Sequence, residues 1–399
     1  MYKCRICGET DFEKVIDMGK QPKVNSLLDS VMEEAQTFPL VVVQCAKCGL
    51  VQILKSINAN EIYRQEDYLY YSSNMPGLGV YFQSYADKLK KVSSLKKGDL
   101  VVEIGSNDGI MLKNFDEPRL GVDPSTNVVV RALKNGVTTI SDFFSHRLAK
   151  TIVKEYGKAK LIYANNCIAH IDNIHDIMNG VTELLSEDGV FAIECNYWGS
   201  MVDNFNYALI YHDHFSYFTV SDWKNIALMH GLTIFDAELT PAQGGSLRVF
   251  LSKKAFKQTS TLIQLDCYER EKNFKNVKTA SYYRHGVMGE AKKLRNTIMD
   301  FYTKGKIIAG YGAAAKGFSL LSLANIGKEI SYFVDDSPSK QGKYTPVHKI
   351  PVVKRDERED PDVFVITAPN YSSVIIEKEE TFLKNGGLFI LHDGTVVEG

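Results

Sequence analysis

Two pairs of cysteines tie both ends of the first 48 residues to one point. "CRIC" carries Cys4 and Cys7, and "CAKC" carries Cys45 and Cys48. A C-x2-C turn lets two sulfurs reach one ion, and two such turns complete a tetrahedral four-thiolate zinc site. All four ligands then come from the chain and no open position is left, so the expected Zn2+ is structural. The stretch between the pairs is longer than compact zinc spacings and must fold as an insert. Four free thiols are the competing reading. Seven cysteines in 399 residues do not suggest a disulfide scaffold.

Residues 60 to 98 carry tyrosines and a helical pattern. Beyond them, strand and helix patterns alternate. "LVVEIG", "RLGVD", "LIYANN", "GVFAIEC" and "LRVFLSK" read as strands, with helical stretches such as "IHDIMNGVTELLSEDG" between some of them. This alternation predicts a mostly parallel sheet covered by helices. After a polar helical stretch, a second alternating block runs from "KIIAGYGAAAKG" to "GLFILHDG" and reads as a smaller α/β unit. The fold class is therefore α/β.

Each block opens on a glycine turn. In "VVEIGSNDGIMLKNF" a strand ends at Glu103, Gly105 permits the turn, and Asn107, Asp108 and Gly109 lead toward a helix. Asp123, followed by Pro124, stands ~20 residues on, where a strand-end acid takes the hydroxyls of a ribose. The turn lacks the G-x-G-x-x-G form and leaves little room for a pyrophosphate. Glu103 and Asp108 suit a cationic small molecule, and S-adenosyl-L-methionine has the sulfonium, amino group and ribose required. Asp142 and Phe143 are placed to hold its adenine, and Asn165 and Asn166 close the fourth strand at the same edge. A nicotinamide reader is the competing reading. In the second turn, "GYGAAAKGFSLL", Lys316 suggests a phosphate contact.

"YHDHFSYF" sets His212 and His214 two apart, around Asp213. On a strand both would face one side. A catalytic metal needs a third ligand, and the other histidines are scattered. A packed aromatic corner is the plain alternative. Proton transfer fits better, because histidine titrates at ~6.5 and a neighbouring carboxylate fixes its tautomer. Asp213 supplies that carboxylate, and the Tyr211 hydroxyl can hold an oxyanion.

The net charge of -1 argues against a general nucleic-acid binder. No apolar run approaches the ~18–20 residues that span a bilayer. The opening "MYKCRICGET" has no signal-peptide stretch, so a cytoplasmic location is expected.

The four cysteines, "VVEIGSNDG", "NNCIAHI", "YHDHFSYF", "QGGSLRV" and "GYGAAAKG" stand in an order that resembles the nucleotide-sugar C-methyltransferases. The resemblance covers nearly the whole chain. It implies a zinc-binding module at 1–75, a class I S-adenosylmethionine methyltransferase domain at 76–255 and a Rossmann-like sugar-nucleotide domain at 256–399. It also implies methylation of a 4-keto-deoxy sugar at C3, with His214 as the base, Tyr211 and Asp213 beside it and His170 near the sugar. A tyrosine of "YLYYSS" should face the sugar, Tyr71 in preference to Tyr70. Tyr70, Arg248, Tyr311 and Lys316 are the expected substrate-binding residues. Two departures stand out: Asp213 replaces the family's usual glutamate, and Gln243 stands where a histidine often precedes "GGSLR". The rivals are an O- or N-methyltransferase, a non-catalytic sugar-nucleotide binder and a reductase. A monomer is expected.

Overall fold

The computed structural model describes residues 2–23, 26–64, 68, 70–75 and 77–399, without the side chains of Ala315 and Asn370. Three sheets organise them. The first holds β1 (Phe12–Pro22), β2 (Thr37–Cys45), β3 (Val51–Ile53) and a strand from far downstream, β9 (Ser216–Tyr217), all antiparallel. The cysteine insert is thus a hairpin, β1 against β2.

The second sheet has the order β10-β11-β8-β7-β4-β5-β6. Its members are β4 (Leu100–Ile104), β5 (Arg119–Val122), β6 (Thr139–Ile140), β7 (Ala159–Asn165), β8 (Leu185–Asn196), β10 (Thr233–Thr240) and β11 (Ser246–Ser252). β11 runs antiparallel to both its neighbours, β10 and β8, and the other pairings are parallel. Every residue of β4 is buried, which is why "LVVEI" is a continuous apolar run broken only by Glu103. Strand order reverses beside β4, so a crevice opens at its carboxyl end.

The third sheet contains β12 (Ile308–Tyr311), β13 (Phe333–Val334), β14 (Val352–Val353), β15 (Val363–Ile366), β16 (Leu388–Ile390) and β17 (Val396–Val397), in the order β14-β13-β12-β15-β16-β17. Only the β16–β17 pairing is antiparallel. The helix Val277–Thr303 buries Tyr283 against Trp198, with ring centroids 4.8 Å apart, and Arg284 donates from Nη1 to the Lys14 carbonyl at 2.9 Å. One helix therefore binds the first sheet to the second.

Two local expectations change. The helix beginning in "IHDIMNG" stops at Leu184, because Leu185 pairs with Ala159 and enters β8. The helix expected after Asp108–Gly109 is a short 3-10 turn, Leu112–Asn114. Among the described residues, no helix is long and apolar enough to cross a membrane.

Candidate active site

The cysteines meet as expected. One ligand atom from each of Cys4, Cys7, Cys45 and Cys48 lies within 4.8 Å of the others, and it is the only such metal-ligand cluster among the described residues. Cys4 Sγ is 3.5 Å from Cys48 Sγ, and Cys7 Sγ is 3.5 Å from Cys45 Sγ. Four thiolates ~2.3 Å from a zinc ion sit at similar separations. Both knuckles read C-x-x-C-G, and the glycines adopt φ of +72° and +79° as their N–H groups return to the first cysteine's carbonyl. The donor set fits zinc.

At the carboxyl end of β4, Asp123 is held by two backbone donors. Asn107 N–H reaches one carboxylate oxygen and Ser125 N–H the other, each at 2.9 Å. The acid is thereby aimed at the crevice. Asp108 Oδ1, Ser106 Oγ and, at the end of β7, Asn165 Oδ1 are buried here without a hydrogen-bond partner among the described residues. Several expected contacts are taken up within the chain. Glu103 is 3% exposed and accepts from the Tyr163 hydroxyl at 3.1 Å, and burial pushes its carboxyl well above the usual range. It does not face a ligand as a free anion. The Asn107 side chain holds the Tyr70–Ser72 backbone, and Asp108 stands 3.7 Å from Arg131 Nε. Asp142 pairs with Arg64 and Arg147, and the Arg64 guanidinium lies 5.1 Å from the Phe143 ring centre. Pro124 follows Asp123 at the rim, and Asn165 donates to Met111 Sδ.

The histidine cluster is a turn, not a strand. His214 N–H donates to the Tyr211 carbonyl at 3.1 Å. This folds Tyr211 onto His214, and the alternation expected for a strand is lost. His212 is 1% exposed and packs on Phe38 of β2, at 6.0 Å between ring centres. His214 instead faces His170, 5.1 Å between ring centres. The chamber around them is lined by the rings of Tyr63, Tyr211 and Tyr217.

The hydrogen bonds assign the tautomer of His214. Nδ1 lies 2.8 Å from the Leu209 carbonyl, which only accepts, so Nδ1 carries the proton. Nε2 is then basic, and the Tyr211 hydroxyl donates to it at 2.7 Å. The Asn196 amide nitrogen flanks the ring, 2.8 Å from Nδ1 and 3.1 Å from Nε2. Burial holds His214 well below its ordinary value; a proton on the facing His170 would lower it further, and the Lys316 charge also opposes protonation. Burial lowers His170 to about 4, and its Nδ1 is 2.6 Å from the Tyr63 hydroxyl. Both rings are neutral at pH 7.

Asp213 does not orient His214; the Leu209 carbonyl does. The carboxylate is 7% exposed and has no hydrogen bond to a described residue, and burial pushes it up to about 7. It lies near Tyr63, Tyr68 and Tyr211 and makes each harder to ionise, second to burial itself.

A cleft of about 530 Å³ leads between the second and third sheets, walled by Tyr70, Tyr81, Asn166, Gln243 and Tyr371 among others. Tyr70 lines it, whereas the Tyr71 hydroxyl accepts from Asn127 at 2.8 Å and its ring packs under Arg131. Tyr70, and not the preferred Tyr71, is therefore the tyrosine on this cleft. Arg248 does not reach the cleft as a free cation. It is bound to Glu194 at 2.5 Å and Glu238 at 3.1 Å, stacks over Tyr85, and so braces the Tyr81 wall. The Tyr311 hydroxyl is likewise turned away, donating to Glu379 at 2.9 Å. Lys316 leaves its glycine turn and donates to Gln243 Oε1 at 2.9 Å, toward the histidine chamber, and burial lowers it to about 8.

Sequence reasoning missed Tyr63, Tyr68 and Asn196. The first two lie in the tyrosine-rich stretch, and Asn196 ends β8 at the carboxyl edge, where ligands of parallel sheets collect.

The fold and this site define a methyltransferase. The family model for a methyltransferase domain matches residues 79–237, that for a C-methyltransferase C-terminal domain matches 241–392, and a zinc binding domain model matches 4–63. C-methyltransferase NovU of Streptomyces niveus is 33% identical over 400 residues, covering 98% of this chain and 94% of that protein. The chain belongs to the C-methyltransferase family. Among solved structures, plantazolicin methyltransferase BamL, in complex with a triazolic desmethylPZN analog and SAH, is 16% identical with a TM-score of 0.37, covering 46% of this chain and 88% of its own. Magnesium protoporphyrin IX methyltransferase from Synechocystis PCC 6803, with bound SAM, is 14% identical with a TM-score of 0.34, covering 44% and 79%.

Proposed function

We propose that this enzyme methylates a carbon next to the keto group of a nucleotide-linked 4-keto-deoxyhexose, C3 in the first instance. The observation that carries the reading is His214. It is a buried, neutral imidazole whose Nδ1 proton is fixed by Leu209, leaving a basic Nε2 in an aromatic chamber. S-adenosyl-L-methionine, when bound, supplies an electrophilic methyl group. Gly105, Gly109 and the Asp123 carboxylate would hold it at the end of β4, where buried polar atoms stand without protein partners.

The residues divide the remaining work. As the sugar enters, the Tyr211 hydroxyl turns from Nε2 to the keto oxygen, which both frees the base and supplies a donor to the oxyanion. Nε2 takes the proton from the adjacent carbon, and the electron pair moves onto the keto oxygen. The electron pair would return from the oxygen as the carbon bonds the methyl group, the methyl–sulfur bond breaking to leave a neutral thioether, and the proton on His214 would then leave to solvent. His170 and Asp213 face the sugar's other polar groups. The cleft beside Tyr70 and Gln243 takes the nucleotide.

The same proposal divides the chain into a zinc module at 1–75, a methyl-donor domain at 76–255 and a sugar-nucleotide domain at 256–399, acting as a cytoplasmic monomer. Incubation with S-adenosylmethionine and a nucleotide-linked 4-keto-deoxyhexose tests it, with proton and carbon NMR of the product. A new methyl group on a ring carbon supports the reading. A methyl group on oxygen or nitrogen, or no transfer to any such sugar, overturns it.

A further inference from the structure

The two active-site histidines come from segments far apart in the chain, and their spacing has an identifiable source. The 3-10 turn Ile168–His170 carries one, and the turn 211–214 carries the other. Phe215, next to His214, donates its N–H to the carbonyl of Ala169, next to His170, at 2.7 Å. That bond couples the segments directly. A second connection comes from outside, from the cysteine knuckle.

Arg5 lies between Cys4 and Cys7, and its side chain is 7% exposed. Its Nη1 donates to the Phe215 carbonyl at 3.1 Å and to the Ile53 carbonyl at 2.9 Å. Its Nε donates to Asp172 Oδ1 at 2.9 Å. The guanidinium also lies 5.5 Å from the Phe215 ring centre. One side chain thus grips the residue after His214 and the residue two beyond His170. The knuckle backbone is anchored on the same side: Arg5 N–H donates to Gln52 Oε1 at 2.9 Å, and His175 Nε2 is 2.8 Å from the Ile6 carbonyl.

We infer that Arg5 is a positioning residue for the methyl transfer, and that the zinc knuckle serves the active site by holding Arg5 where it clamps the His170 and His214 segments together. A planar guanidinium suits this task because its donors point in fixed directions toward several acceptors at once. A lysine ammonium is a single point and does not reproduce that fork. The knuckle matters because a long side chain positions its targets only as well as its own backbone is held. A four-thiolate centre closes the loop around Arg5 at both ends.

The inference rests on the proposed proton abstraction at the histidine pair, but its structural part can be read without substrate. In amide hydrogen exchange, Arg5→Met should raise deuterium uptake in residues 168–172 and 211–216, and leave β4, β5 and the Asp123 turn at wild-type protection. Metal analysis should still find one zinc per chain, and calorimetry should show unchanged S-adenosylmethionine affinity. With a turned-over keto sugar, kcat should fall about tenfold to a hundredfold, the scale of a misplaced reacting group, with KM for the sugar nucleotide within twofold. Arg5→Lys should recover little of that loss. If Arg5→Met does not give soluble protein, wild-type chain stripped of zinc by a chelator should show the same rise in residues 168–172 and 211–216, together with a loosened first sheet, while β4, β5 and the Asp123 turn keep wild-type protection. Unchanged uptake in both segments, or a rise spread evenly over the second sheet, overturns the inference. Localised uptake in a protein that methylates no keto sugar keeps the clamp and refutes only the substrate reading.

Discussion

Replacing Asp213 with asparagine should make the protein more stable and less active, and the gain in stability should depend on pH. Burial, without a hydrogen bond to a described residue, holds the Asp213 carboxyl at about 7 against an ordinary 3.8. Each tenfold in proton affinity corresponds to ~1.4 kcal/mol, so keeping this group ionised in the folded chain costs roughly 4 kcal/mol at pH 8. The sign follows from the raised value. The penalty is absent below the unfolded-state value of ~3.9 and grows as pH rises toward 7, of which roughly 3 kcal/mol falls between pH 5 and pH 8. Asparagine cannot ionise and carries no such slope. Urea unfolding followed by tryptophan fluorescence reads the right region, because both tryptophans, Trp198 and Trp223, are buried beside the second sheet. The stability of Asp213→Asn relative to wild type should rise by roughly 3 kcal/mol from pH 5 to pH 8. Methyl transfer should fall, since a site group that destabilises the fold is retained for what it does to substrate. Parallel pH dependences in the two proteins would refute the claim of an unpartnered carboxylate.

Two more expectations follow from the other sites. Purified protein prepared without chelator should contain one zinc per chain, and serine at any one of Cys4, Cys7, Cys45 or Cys48 should release it and loosen the first sheet; a metal-free wild type contradicts the four-thiolate centre. Asp123→Ala should weaken S-adenosylmethionine binding by calorimetry roughly tenfold to a hundredfold, the worth of a charged hydrogen bond of ~1.5–3 kcal/mol, and unchanged affinity would place the methyl donor elsewhere.

What the amino-acid sequence made legible is what local chemistry decides. The C-x-x-C-G knuckles close because glycine permits their positive φ and because two sulfurs on one turn need no distant partner. The run "LVVEI" is buried on both faces and so reads as an interior parallel strand. The place of Asp123 at the carboxyl edge of the second sheet was legible because a strand-end acid is placed by the strand itself. Side-chain direction was less so. His212 and His214 looked like neighbours on a strand, yet the backbone bond from His214 to Tyr211 makes a turn and sends them to different sheets. Nothing beside Tyr70 and Tyr71 signals that Asn127 and Arg131, on a helix more than fifty residues on, claim the second ring. Arg248 looked free for substrate because its partners, Glu194 and Glu238, come from two other strands. The role given to Asp213 went to Leu209, whose carbonyl sequence chemistry cannot distinguish from any other.

The central claim is that His214 Nε2 removes a proton from the carbon that receives the methyl group. The direct measurement is exchange of that carbon-bound proton in deuterated water, with a nucleotide-linked 4-keto-deoxyhexose, in wild type, His214→Asn and His170→Asn. The account predicts exchange in wild type and a loss of ~100- to 10,000-fold in His214→Asn, in step with methyl transfer and with S-adenosylmethionine binding retained. Exchange at the wild-type rate in His214→Asn, especially if His170→Asn abolishes it, would contradict the assignment and move the base to the facing ring.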